Sequence, residues 1–168
     1  EHLMSHPLVS SAGHTFVFPV DIAIDTSSGE PCGYAMTAVD DGLDAQNVFL
    51  ASTWLPEKWR IRAALNLTNA MIELDRAGYR QQDRENCLFR PDGSVAVIDC
   101  DSLQIGDTFR NDIVKKQYLP PNLIEAHNSG EYLNHDFTSA DLVWAHAIEV
   151  WILIRGVGYQ HPYRSHHN

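Results

Sequence analysis

Asn86 and Asp99 stand thirteen positions apart, one on each side of a hairpin signal, and both carry the oxygen donors a hard divalent cation takes. Cys87-Leu88-Phe89 and Val95 to Ile98 are short apolar runs, and Pro91-Asp92-Gly93-Ser94 between them is a turn. The outer ends of two paired strands lie side by side, so the amide and the carboxylate are expected to face one place. A magnesium ion held at ~2.1 Å per bond would need their oxygens roughly 4–8 Å apart. Asp101 follows Asp99 closely, and the loop before the hairpin adds Gln81 and Asp83. Asp83 or Asp101 is a carboxylate able to act as a general base, whereas the amide of Gln81 is not. The plain structural reading stays open beside this one: Asn86 caps a turn and Asp99 satisfies backbone donors.

These residues need elements to hold them. Pro56 to Ala77 reads as a helix, with Pro56 in the first turn, Glu57 at the positive end of the dipole and Gly78 just past the last turn. Ile61, Ala64, Leu65, Thr68, Met71, Ile72 and Leu74 give it an apolar face, with Trp54 and Trp59 anchoring its start. This helix delivers the chain to the loop at Gln81. Phe16 to Ile24 reads as a strand bent at Pro19, Thr26 to Gly29 as a turn, and Cys32 to Val39 as the return strand of a second hairpin. Glu1 to Gly13 reads as polar and irregular, Asp40 to Thr53 as a linker, and Ile105 to Lys116 has no firm period. Pro120 and Pro121 predict a rigid turn. Asp136 to Arg155 reads as a second helix, apolar around most of its circumference and therefore central and buried. Asp141 suits the electrostatics of its first turn. His161, His166 and His167 read as a tail.

With 168 residues, 44% of them apolar, the sequence is of a size and composition for one globular domain, residues 1–168. A net charge of -10 argues against a nucleic-acid partner, because phosphate binding needs clustered Lys and Arg. No apolar run approaches the ~20 residues that span a bilayer, so no membrane partner is expected. Three cysteines, Cys32, Cys87 and Cys100, have no CxxC spacing, which favours reduced, buried thiols and a cytoplasmic protein.

The stretch from Gly78 to Gln104 resembles the catalytic and metal-binding loops of protein kinases, a family whose pattern is H-R-D, four residues, Asn, a hairpin, then D-F-G. Here the register reads Tyr79-Arg80-Gln81, four residues, Asn86, the hairpin, then Asp99-Cys100-Asp101. The ending Ile98 to Gln104, I-D-x-D-S-x-Q, is similar to a bacterial branch of kinase-like proteins. The resemblance implies an α+β fold, mainly the helical C-terminal lobe (54–163) with a remnant N-lobe hairpin and hinge (16–39). It implies Mg²⁺ and ATP as cofactors, Asn86 and Asp99 as metal ligands, and Met36, Thr37 and Ala38 (of a hinge running to Val39) as the segment that meets the adenine. It places Gln81 at the position of the catalytic base, with Asp101 in place of the family's glycine. Asp141 falls where the family has an aspartate that holds the catalytic loop. Ser102, Thr108 and Tyr118 fall in the activation segment, Asn122 where a glutamate closes it, and His161-Pro162-Tyr163 where the family has H-P-F.

By the same resemblance, a glycine-rich loop, a V-A-I-K lysine and the helix bearing its glutamate partner would precede Glu1, and further helices would follow Tyr163. Lys58, Lys115 and Lys116 are the only lysines, and none lies on a strand before the hairpins. The expectation is a cut-down, impaired kinase-like module, or pseudokinase, that binds nucleotide and magnesium or serves as a scaffold for a protein partner. Apolar surface uncovered by the missing parts would suit a homo-oligomer. Two alternatives stand beside it: an active phosphoryl- or nucleotidyl-transferase of the Ser/Thr protein kinase type using Asp83 or Asp101, and a purely structural interaction domain.

Overall fold

The computed structural model describes residues 2–106, 115–129 and 138–158. Its organising helix, α3 (Glu57–Arg76), starts at Pro56 and ends just before Gly78, whose φ of 78° is a conformation a side chain would strain. The buried face is not the one the large apolar residues suggested. Ala63, Ala64, Leu67, Ala70 and Leu74 are buried, whereas Ile61, Leu65 and Ile72 are exposed. Small side chains are what let α3 lie close to α5 (Ser139–Arg155), its main helical neighbour. The two run antiparallel: Ser139 Oγ donates to Asp75 at one end, Thr68 meets His146 midway, and Arg60 Nη1 donates to the Leu153 carbonyl at the other.

A four-stranded sheet lies beside this pair, in the order β1 (His14–Phe16), β7 (Val95–Val97), β6 (Cys87–Phe89), β4 (Leu43–Asp44). β6 and β7 are the antiparallel hairpin expected from the turn Pro91 to Ser94, with Cys87 opposite Val97 and Phe89 opposite Val95. β1 pairs parallel to β7, Phe16 opposite Val97. The single bent strand expected from Phe16 to Ile24 is therefore two strands in two sheets. Val17 N–H still donates to the Val97 carbonyl, and only after Pro19 does the chain leave to form β2 (Pro19–Ile24). β2 pairs with β3 (Pro31–Met36) as a separate hairpin, its turn tied by backbone donation from Ser27 and Ser28 to the Asp25 carboxylate.

Several elements differ from the sequence expectation. The linker contains α2 (Ala45–Ala51), capped by Asp44 accepting from the Asn47 amide at 2.8 Å. Pro121 does not end a helix; it occupies the first position of α4 (Pro121–Ser129), where its missing N–H costs nothing. The polar N-terminal segment holds a short helix, α1 (His2–Ser5). α5 begins at Ser139 behind the N-cap Thr138, and Asp136 lies outside the described residues. It is buried along one side, while Val143, Trp151 and Ile154 are exposed. Cys87 and Cys100 are buried as expected, but Cys32 is exposed on β3. Helices and strands are segregated rather than alternating, so the fold class is α+β. Among the described residues no helix is long and apolar enough to cross a membrane.

Candidate functional site

α3 hands the chain to β5 (Tyr79–Arg80), which pairs antiparallel with β8 (Gln104–Ile105). These two short strands bracket both loops of interest: Gln81 to Asn86 leaves β5, and Ile98 to Leu103 runs into β8. Gln82 Nε2 donates to Gln104 Oε1 at 2.6 Å and locks the bracket from within. The two strand ends then meet as the hairpin requires. Asn86 Nδ2 donates to Asp99 Oδ2 at 3.0 Å, and Ile98 N–H donates to the Asn86 carbonyl.

Gln81, at the position where the resemblance puts a base, is turned inward and almost wholly buried. Its amide donates to the Asn86 carbonyl at 3.1 Å and to the Ile98 carbonyl at 3.4 Å, stitching the two loops together just behind Asn86 and Asp99. An amide N–H₂ can serve two carbonyls in this way; an ionised carboxylate has no proton to give. Asp99 is the one described non-glycine residue with a positive φ, 55°. Aspartate tolerates that region better than most side chains, and such residues cluster at ligand clamps.

Acidic groups crowd the same point. Burial, then a hydrogen bond and charge repulsion from Asp101, then the charge of Asp83, push the Asp99 carboxyl above the ordinary carboxylate range, against the opposing effect of the Asn86 amide. Tyr34 of β3 faces Asp101 across the cleft, and the Asp101 carboxylate together with burial pushes its phenol up to about 12. The β2–β3 hairpin therefore meets the loop at Tyr34 and Asp101. Between the two lies a cleft of about 360 Å³ lined by Leu3, Pro19, Ile22, Gly33, Tyr34 and Asp101 among others. That is within the size range of small-molecule sites. Met36, Thr37 and Ala38 follow two residues after Tyr34, at the end of β3, and are exposed.

The loop is held from below by a buried ion pair. Arg84 donates to Glu149 Oε2 of α5 through both Nε and Nη2, and both side chains are out of solvent. Burial opposes the guanidinium charge, but Glu149 outweighs it and keeps its proton affinity above the usual value. A second tie comes from the far side of the chain: Lys115 Nζ meets Glu85 Oε2 and lies 3.6 Å from Asp83 Oδ1, while Gln117 Nε2 donates to Glu85 Oε1 at 2.9 Å. Burial works against the ammonium, yet Glu85 and Asp83 raise its proton affinity, so it stays charged at neutral pH.

The structure thus brings Asn86 and Asp99 into contact, with Gln81 behind them as a brace. Asp141 closes a capping box with Thr138 at the start of α5, the electrostatic role read from its position in the helix. A contact from α5 into the loop is made two turns later, by Glu149. Tyr118 is buried and Ser102 Oγ donates to the Asp99 carbonyl at 2.8 Å; Asn122 is exposed on α4. Thr108, His161, Pro162, Tyr163, His166 and His167 lie outside the described residues. Sequence reasoning missed Arg84, Glu149, Tyr34 and Lys115. Glu149 had a signal, a lone carboxylate inside an apolar helix pattern that needs a partner; the other three had none.

Asn86 and Asp99 offer one amide oxygen and one carboxylate, donor types that a hard divalent cation takes. Among the described residues no group of three His, Cys, Asp or Glu side chains forms a metal cluster, so a cation here would keep waters or take phosphate oxygens. No family model and no curated protein matches the chain.

Proposed function

We propose that the chain is a protein-kinase-like module that binds a magnesium nucleotide with impaired phosphoryl transfer. The observation that carries this is the meeting of Asn86 and Asp99 at 3.0 Å, at the ends of one hairpin, beside a cleft closed by Tyr34 and Asp101. Asn86, through its amide oxygen, and Asp99 would hold the ion. A bound magnesium ion would neutralise phosphate charge and fix the phosphate chain. The base of the β2–β3 hairpin, with Met36, Thr37 and Ala38, would cover the adenine.

Impairment follows from Gln81. Its amide accepts no proton at neutral pH and is spent on the Asn86 and Ile98 carbonyls, so general-base help worth typically 10²–10⁴ in rate is absent at that position. The role left is binding and scaffolding.

Thermal unfolding with and without Mg·ATP tests the reading. A ligand at 100 times its dissociation constant adds ~2.7 kcal/mol to the parent protein. Asp99→Ala should abolish that gain. A parent protein whose midpoint is indifferent to Mg·ATP would leave the structural reading of Asn86 and Asp99 in its place.

A further inference from the structure

α3 meets α5 through small side chains, but the two helices part between two polar bridges. Ser139 Oγ donates to Asp75 at 2.7 Å at one end, and Thr68 Oγ1 lies 2.9 Å from His146 Nε2 at the other. A blind cavity of about 110 Å³ opens in that gap. Ile72, Asp75, Ser139 and Val143, all exposed, rim its mouth. Leu74, Tyr79, Gln81 and Arg84, all buried, form its floor, and Met71 and Leu142 make the walls.

We infer that this cavity binds a small neutral molecule of about the size of phenol, its apolar body between the helices and its one hydrogen-bond donor on Gln81 Oε1. The site stands apart from the nucleotide reading and needs neither metal nor phosphate. Gln81 is 2% exposed, and Oε1 has no hydrogen-bond partner among the described residues. A buried acceptor left unmade is costly, so a donor is favoured there. Oxygen and nitrogen of this amide cannot trade places. Nε2 already donates to the Asn86 and Ile98 carbonyls, and a flip would set oxygen against oxygen. A charged ligand has no counterpart: the Arg84 guanidinium is balanced by Glu149, and its Nη1 donates to Met71 Sδ at 2.9 Å. A carboxylate would find no free cation and would meet the Gln81 lone pairs, while an ammonium would meet Arg84. An enclosed cavity of ~150 Å³ holds benzene. This smaller one is open at its mouth and seats a single ring with one edge at the rim. Because one amide serves both the cavity floor and the Asn86 and Ile98 carbonyls, an occupant holds Gln81 in the orientation that braces the loop.

Phenol, toluene and benzoate, titrated into the full chain and followed in methyl and side-chain amide NMR spectra, test this. Phenol is expected to move the methyl groups of Leu74, Leu142 and Val143 and the side-chain amide of Gln81. Toluene should move the methyl groups alone, and benzoate neither. Val143→Trp changes an exposed rim position and plugs the mouth, so it should weaken phenol by roughly tenfold or more. Gln81→Met should leave toluene affinity in place, which also reports an intact cavity, and lower the phenol-to-toluene affinity ratio by about tenfold. Unchanged phenol affinity in Val143→Trp, or shifts scattered over other exposed apolar residues such as Val9 and Trp54, overturns the site. The same ratio in the parent and Gln81→Met, or a parent Gln81 amide indifferent to phenol, overturns the role of Oε1. Benzoate bound as tightly as phenol overturns the neutral ligand. None of these results depends on whether Mg·ATP binds.

Discussion

The molecule contains two β-hairpins of similar sequence signal and opposite fate. β6–β7 is buried on both faces, with Val95, Ala96 and Val97 at 0% exposure, because β1 and β4 flank it and α3 packs against it. β2–β3 has no strand on either edge among the described residues, and Val20, Ile24, Tyr34 and Met36 are all exposed. Turn chemistry made both hairpins; only neighbours made one of them a core. A lone two-stranded hairpin is marginal in water. The buried hairpin therefore fixes the strand ends that carry Asn86 and Asp99, whereas the exposed one leaves its side chains in solvent.

The strongest way to break this contrast is to remove the floor. Arg84→Ala leaves Glu149 buried without its charge partner and is expected to cost about 3–5 kcal/mol in denaturant unfolding. A loss under ~1 kcal/mol would mean that the loop is not anchored there. Next comes a matched pair. Val97→Ala should cost about 1.5 kcal/mol, at ~0.8 per buried carbon. Val20→Ala, in the other hairpin, should stay within ~0.5. Equal costs would show that the exposed hairpin is covered in solution.

pH sharpens the contrast at the site itself. The Asp99 carboxyl has its folded-state proton affinity raised, so its contribution to stability is full below the ordinary carboxylate range and is lost as pH rises through the raised value. Asp99→Asn is therefore expected to raise the unfolding midpoint at pH 7, with the gain shrinking toward pH 4, and to remove any stabilisation by Mg²⁺. A variant less stable than the parent at pH 7 would reverse the sign. The smallest effect concerns the tie between the hairpins. Tyr34→Phe should delete one tyrosine titrating at about 12 from the alkaline absorbance curve, with a barely altered midpoint. Loss instead of a component titrating at the ordinary phenol value would mean that Tyr34 does not reach Asp101.

What could be read in the sequence were elements closed by local chemistry. Pro56 and Gly78 bounded α3, and Pro91 to Ser94 gave the β6–β7 turn. The buried face of α3 was misread because Ile61, Leu65 and Ile72 outweigh alanines in any apolar count, while close helix packing selects the alanines. The parallel pairing of β1 with β7 joins residues some eighty positions apart and leaves no local trace. At the candidate site, the meeting of Asn86 with Asp99 follows from the hairpin spacing. Gln81 was visible as a position but not as a brace, since its role depends on which carbonyls the fold turns toward it. α2 escaped because its cap, Asp44 to Asn47, was read as a run of linker polarity.

The most direct test of the central claim is paramagnetic broadening by Mn²⁺·ATP in the amide NMR spectrum of the parent protein. The side-chain amide of Asn86 and the backbone amides of Asp99 to Asp101 should broaden first, with Met36, Thr37 and Ala38 shifting as the adenine is covered. Broadening spread evenly over the acidic surface, with Asn86 and Asp99 spared, would contradict the claim.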